Sequence, residues 1–361
     1  MRIAQIAPVC ESVPPKGYGG TERVVSWLTE ELVRRGHRVT LFASGDSRTR
    51  GRLVPVVERA VDRGDGSDSV MAHILEIGAV QRRLAEFDVL HSHIDYLAFP
   101  AFRDSDPPLV TTLHGRLDIA ELAPIVRHFW QRPLISISDS QRAPLPAANW
   151  VATVHHGLPL ADYPFGDGRG DYLLFLGRIS PEKRPDVAID AARRAGVRLV
   201  LAAKVDPTDR DYFESAVRPR LAEPGIEFIG EVDHMAKVAL LRDARALLFP
   251  ILWPEPFGLV MIEAMACGTP VIARRCGSVD EVIGAGVGRI CDDDAALVPA
   301  IAEVGSIARA RCRRWVEQWF SVERMATAYE RIYRRLAAGR RTDRLPMRAL
   351  VPVTAAAGER R

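Results

Sequence analysis

In the stretch WPEPFGLVMIEAMACGTPVIA two carboxylates, Glu255 and Glu263, stand on either side of Phe257-Gly258 with seven residues between them. The apolar pattern after Gly258 reads as a helix following a strand, so its first backbone N–H groups lack intrahelical partners and suit a phosphate. Glu263 then falls in the second turn, within reach of ribose hydroxyls beside a bound diphosphate, and Glu255 in the preceding loop can bind sugar hydroxyls. Two acids at this spacing are ordinarily just solvated. Here one sits in a Pro- and Gly-rich loop and the other is embedded in apolar MI-E-AMA, where an idle charge is costly. Upstream, LGRISPEKRPD places Arg178 and Lys183 directly after the strand-like YLLFL. Arginine offers a planar fork of donors and lysine a mobile point charge; together they can meet a diphosphate and stabilise a leaving nucleotide as negative charge develops on it. Only four of the 49 basic residues are lysines. The alternative for this segment is a solvated loop with Ser180 capping the next helix.

Two further places lie in the N-terminal half. PPKGYGGTERVV is a glycine-rich loop running into a helix with Thr21 as its N-cap; Gly19 and Gly20 let backbone approach a ligand closely. It is neither a G-x-G-x-x-G fingerprint nor a Walker loop, and a plain turn is an equal reading. In DVLHSHID and TTLHGRLD, His93, Asp95 and His114 follow strands and point toward a cleft, where either histidine can hydrogen-bond the transferred sugar or the incoming hydroxyl. A histidine at a strand end is otherwise more often structural. His91 and His93 share a strand face without an evident third ligand, and Asp292-Asp293-Asp294, although it matches a metal-holding D-x-D, precedes AALVPAIAEV as a helix cap would. No metal is predicted.

The elements that must position these residues alternate throughout. RIAQIAPV, the Thr21 helix ending at Gly36, HRVTLFAS, FDVLHSH, PLVTTLHG and PLISIS form one βαβ series; DYLLFLGRIS, VRLVLAAK, IEFIG, ALLFPIL and TPVIARR form another. Such alternation predicts an α/β protein of two doubly wound parallel sheets, whose ligands sit beyond the carboxyl ends of the strands. The Gly-, Pro- and Asp-rich HHGLPLADYPFGDGRGD is the connection, giving an N-terminal domain over 1–165 and a C-terminal domain over 166–314. A helical segment follows over 315–338, then a basic tail over 339–361 that reads as disordered. From Arg331 onward there are nine arginines against Asp343 and Glu359, so the body is slightly acidic, which argues against a nucleic-acid binder. The tail leaves weak contact with an anionic membrane surface as a minor option. No window has the roughly 20 uncharged apolar residues of a membrane span. Five scattered cysteines and no signal-peptide cleavage site point to reduced thiols in the cytoplasm.

Taken together, GYGGTERVV, DVLHSH, TLHG, GRISPEK and above all EPFGLVMIEAMACGTPVIA make the chain resemble the retaining glycosyltransferases of family 4, over roughly Arg2 to Leu336. That family has the GT-B fold, two Rossmann-like domains facing each other across a cleft. The resemblance implies that Arg178 and Lys183 bind the donor diphosphate, Glu255 the sugar, Glu263 the ribose, and the Leu259-Val260 backbone the phosphate beside Phe257-Gly258. His114 and the Gly19-Gly20 loop complete the cleft from the other domain, with His114, Arg178, Lys183 and Glu255 as the catalytic set and His93 and Asp95 as acceptor-side candidates. RRWVEQWFSVERMATAYERIYRRL matches the family's terminal helix crossing back to the N-domain. One departure is His155-His156-Gly157, where the family commonly has Asn-Gly. The implied reaction moves a hexose-type sugar from a nucleotide diphosphate, commonly UDP, to an acceptor hydroxyl with retention. It needs no carboxylate nucleophile, because the diphosphate itself accepts the acceptor's proton, and no metal or other cofactor is expected. No acid pair flanks a sugar here, consistent with that route. Acceptor-binding loops vary with function and leave the acceptor unread. A sugar-nucleotide epimerase on the same fold and a non-catalytic nucleotide-sugar-binding protein are the alternatives.

Overall fold

RIAQI forms the first strand, β1 (Arg2–Ile6), buried from Ile3 onward. It is the centre of a sheet completed by β2 (Arg38–Ser44), β3 (Arg52–Val57), β4 (Val89–Ser92), β5 (Leu109–Thr112), β6 (Leu134–Ser136) and β7 (Trp150–Thr153). The order is β3-β2-β1-β4-β5-β6-β7, with every pairing parallel. A second parallel sheet holds β8 (Tyr172–Ile179), β9 (Arg198–Val205), β10 (Ile226–Gly230), β11 (Ala246–Phe249), β12 (Val271–Arg274) and β13 (Gly288–Cys291) in the order β10-β9-β8-β11-β12-β13. The computed structural model describes residues 1–61, 69–104 and 106–339. Near-continuous apolar strands such as LLF and ALLF belong to sheets covered by helices on both faces, and their side chains are buried accordingly. In each sheet the winding reverses once, between β1 and β4 and between β8 and β11. Those reversals open crevices at the strand ends.

The helix after the glycine-rich loop spans Gly20–Arg34 and buries Val24, Val25, Leu28 and Leu32. Its N-cap is Gly19, with no side-chain cap bond, so Thr21 lies inside the first turn rather than capping it. The terminal segment also differs from one continuous helix. Arg309–Trp319 belongs to the C-terminal domain, where Trp315 Nε1 donates to the Val282 carbonyl at 3.0 Å and Arg313 Nη1 to the Ala266 carbonyl at 2.8 Å. The helix breaks at Phe320, and only Val322–Gly339 crosses back, packing Tyr329 and Tyr333 into the core that holds Leu28 and Leu32. The basic tail beyond Gly339 lies outside the described residues.

At the break the two interdomain passages of the chain run side by side. Leu158 N–H donates to the Phe320 carbonyl at 2.9 Å, and Val322 N–H donates to the Leu158 carbonyl at 3.0 Å. The approach is close because residue 157 is glycine: a Cβ there would lie 2.1 Å from the Ser321 carbonyl oxygen. Backbone cannot move aside as a side-chain tip can, so Gly157→Ala should destabilise the protein by about 1–3 kcal/mol, the usual range for overpacking. A lowered urea midpoint measures this, and an unchanged midpoint would show that the crossing is loosely packed.

Candidate active site

At the second crevice β8 carries Arg178 and turns through Ser180 to Lys183. The Ser180 carbonyl accepts from the N–H groups of Lys183 and Arg184 at 3.1 and 3.2 Å, and the next helix begins only at Pro185. Arg184, in the left-handed region with φ of 57°, is its N-cap. Ser180 therefore does not cap a helix; its hydroxyl is buried without a hydrogen-bond partner. Leu252 N–H donates to the Glu182 carbonyl at 3.0 Å and ties this turn to the loop after β11. From that loop Glu255 forms an ion pair with Lys183 and accepts from Trp253 Nε1 at 2.9 Å, while the Lys183 ammonium lies 4.6 Å from the Trp253 ring centre. Arg178 donates to Asp209 at 3.2 Å and to Glu182 at 3.0 Å. Both cations are thus held by carboxylates at the mouth of the crevice.

Gly258 has φ of 76°, and a Cβ there would lie 2.7 Å from Met261 Cε, so the entry to the Leu259–Ala266 helix is built for glycine. Glu263, on that helix, is buried and accepts from the Tyr163 hydroxyl and the Lys237 ammonium, each at 2.6 Å. Burial alone pushes its carboxyl up, but the Lys237 charge and the two hydrogen bonds outweigh it and hold the group below the usual carboxylate range. Phe257 precedes this helix entry with its side chain turned inward. Its ring is buried against His156 and Phe320, with centroids 4.9 and 5.9 Å away, because an aromatic side chain gains more from filling the domain seam than from facing solvent.

The N-terminal domain closes over these groups. Tyr18 N–H donates to Glu231 Oε1 at 3.1 Å; a Cβ on Gly20 would touch Leu259 at 3.6 Å, and one on Gly19 would meet Pro15 Cβ at 2.7 Å. Arg116, just beyond β5, lies 5.4 Å from the Trp253 ring. His93, after β4, and His114, after β5, are bonded to each other at 2.9 Å, and His114 stacks on His156 with centroids 5.3 Å apart. Burial pushes the His114 imidazole down to about 3 and His93 well below its ordinary value, so both are neutral near pH 7. His91 turns instead to Thr112 and Tyr333, each at 2.7 Å. Asp95 is exposed at the start of the turn after β4, with φ of 50°. Asp293 accepts from Ala296 N–H at 2.9 Å as a cap does, whereas Asp294 pairs with Arg184 and Arg274, both at 2.6 Å. Among the described residues no three His, Cys, Asp or Glu side chains converge as metal ligands.

Five contributors escaped the sequence reading: Gln5, Arg116, Tyr163, Lys237 and Trp253. Two carried a signal, Lys237 as one of four lysines and Gln5 as a lone polar residue in a buried strand. Tyr163 and Arg116 lie in irregular segments, where nothing local fixes direction.

Two parallel doubly wound domains with cations and acids gathered at the facing strand ends define a GT-B glycosyltransferase. The family model for Glycosyltransferase Family 4 matches residues 18–157, and that for Glycosyl transferases group 1 matches residues 166–318. The chain is 28% identical to a glycogen synthase of Mycobacterium tuberculosis over 95% of its length and 96% of the relative's. It is 29% identical to a phosphatidyl-myo-inositol mannosyltransferase of Mycobacterium leprae over 83% of its length and 86% of the relative's. The crystal structure of AviGT4, a glycosyltransferase involved in avilamycin A biosynthesis, superposes with a TM-score of 0.72 at 25% identity, covering 94% of this chain and 98% of that one. The chain belongs to the family 4 glycosyltransferases and is an enzyme that uses a sugar-nucleotide donor.

Two consequences follow from the electrostatics. Lys237→Met leaves the Glu263 carboxylate buried without its counter-charge, which should cost about 3–5 kcal/mol near neutral pH. Because the variant's Glu263 then protonates more readily, the deficit should shrink as pH falls; urea midpoints at several pH values read both effects, and a pH-independent deficit would contradict them. Across the seam Glu281 accepts from the N–H groups of Asp139 and Ser140, both at 2.7 Å, and pairs with His155 at 3.1 Å. Burial raises its pKa, but His155 and the two amides prevail and lower it. A depressed folded pKa means stability that is present above the unfolded value of about 4.3 and lost as pH falls through the folded one. Glu281→Gln should therefore flatten the acid limb of a stability–pH profile, and an identical limb would remove Glu281 from the account.

Proposed function

We propose that the enzyme transfers a hexose-type sugar from a nucleoside diphosphate, with UDP as the favoured nucleotide, to an acceptor hydroxyl, retaining the anomeric configuration. The observation that carries this reading is the gathering of Arg178, Lys183 and Glu255 at the β8/β11 reversal, with Arg116 reaching Trp253 from the N-terminal domain. In the donor complex Arg178 and Lys183 exchange their carboxylate partners for the diphosphate, the Leu259 and Val260 amides add donors, and Glu255 and Glu263 take sugar and ribose hydroxyls. Charge developing on the leaving diphosphate is met by groups already in position, and the diphosphate takes the acceptor's proton on the same face. No metal or other cofactor enters this scheme. Closure over the cleft excludes water and suppresses donor hydrolysis. The relatives' names, a glycogen synthase and a mannosyltransferase, support a hexosyl donor. Five free thiols among the described residues support a reducing compartment.

Calorimetric titration with UDP, GDP and ADP in chelator tests the assignment. One nucleotide should bind, and Lys183→Ala should weaken it roughly 10- to 100-fold, the range for one hydrogen bond to a charged group. Absence of binding by all three, or equal binding by the variant, would overturn the site.

A further inference from the structure

A row of hydrogen bonds runs through the N-terminal domain beneath the cleft. Tyr329 meets Thr112 at 3.1 Å, Thr112 meets His91 Nε2 at 2.7 Å, and His91 Nδ1 meets the Tyr333 hydroxyl at 2.7 Å. The Tyr333 oxygen accepts from Gln5 Nε2 at 3.3 Å; Gln5 Oε1 faces His93 Nε2 at 2.7 Å; His93 Nδ1 faces His114 Nε2 at 2.9 Å. The row ends at His114 Nδ1, which is buried with no hydrogen-bond partner.

Each neutral imidazole has one N–H and one lone pair, so the direction of one bond dictates the next. Gln5 Oε1 can only accept, which puts the His93 proton on Nε2 and leaves Nδ1 bare. A bare His93 Nδ1 requires the N–H of His114 on Nε2. His114 Nδ1 is then a lone pair at the domain seam, where His156 stacks on the ring and the following Gly115–Arg116 segment reaches the Trp253 side of the cleft. The opposite sense of the row would require the Gln5 amide to be turned over. In the observed sense the Tyr333 hydroxyl takes the Gln5 N–H and gives its own proton to His91 Nδ1. His91 and His93 are buried, His114 is half-buried with its Nδ1 enclosed, and burial holds all three rings neutral, so the freedom left in the row is the direction of its protons.

We propose that Gln5 and His93 are positioning residues that hold His114 as the Nε2–H tautomer, with the Nδ1 lone pair free to accept a hydrogen bond from a hydroxyl of the transferred sugar or the acceptor. The identity of that hydroxyl's owner rests on the nucleotide-sugar reading above; the tautomer does not. The terminal helix takes part as well, because Tyr329 and Tyr333 belong to it: its return to the N-terminal domain completes the row and couples the fold's closure to the protonation pattern of His114. An unpartnered buried acceptor is costly until a donor arrives, which favours a bound hydroxyl over an empty cleft.

The test is nitrogen-15 NMR of the full-length protein labelled in histidine, with His114 signals assigned by their loss in His114→Asn. Wild type should carry the His114 proton on Nε2, and a proton on Nδ1 would overturn the proposal. Gln5→Met, which removes the amide at similar volume, should release His93 and His114 into a mixture of tautomers. It should also lower nucleotide release from whichever of UDP-glucose, GDP-mannose or ADP-glucose is turned over by roughly tenfold in kcat with little change in KM, the loss of about one hydrogen bond. Gln5→Glu keeps an acceptor toward His93 Nε2 and should restore the Nε2–H pattern. An unchanged pattern in Gln5→Met would sink the proposal, and because the spectra are read without substrate, that failure is distinct from absent nucleotide binding, which would instead overturn the functional reading.

Discussion

A parallel sheet must be covered on both faces, and a chain that winds always in the right-handed sense can cover both only by reversing direction once. That constraint places the whole site. The reversal at β1/β4 leaves the glycine-rich loop and His93 on either side of one crevice, and the reversal at β8/β11 does the same for Lys183 and Glu255. Two sheets built this way and set with their carboxyl ends toward each other need only a connection that fixes their separation. The paired crossings at Leu158 and Phe320–Val322 supply it, with Gly157 permitting backbone against backbone.

The electrostatics of the crevice reflect the cost of uncompensated charge. Lys183 is held by Glu255, Arg178 by Glu182 and Asp209, and Lys237 by Glu263. The first two sets line the crevice, where each cation can exchange one anionic partner for another without being desolvated alone. The Lys237–Glu263 pair differs in having Tyr163 from the interdomain segment as a third member, so it orients the Leu259–Ala266 helix and ties the connection to the C-terminal domain.

The N-terminal domain contributes neutral groups instead. Its histidines are neutral and linked to Gln5 and to two tyrosines of the terminal helix, so the residues nearest the cleft are oriented by groups as far along the chain as Tyr333. Domain closure, helix return and histidine orientation are one packing problem solved together.

Much of this was legible in the sequence because it is written locally. Strand and helix periodicities, the helix start at Gly258, and the separate Glu255–Glu263 and Arg178–Lys183 spacings are local, and the alternation of elements determined two doubly wound domains. The cap at Thr21 and the unbroken terminal helix were misread because neighbouring backbone decided them: Gly19 took the cap, and Leu158 intercepted the chain at Phe320. Only the tertiary structure decided that Phe257 fills the seam, that Lys237 and Tyr163 hold Glu263, and that Gln5 reaches His93. Each of those pairings joins residues between 26 and 101 positions apart. Their partners are chosen by which strands lie side by side and how the domains close, and no local pattern of residues encodes that.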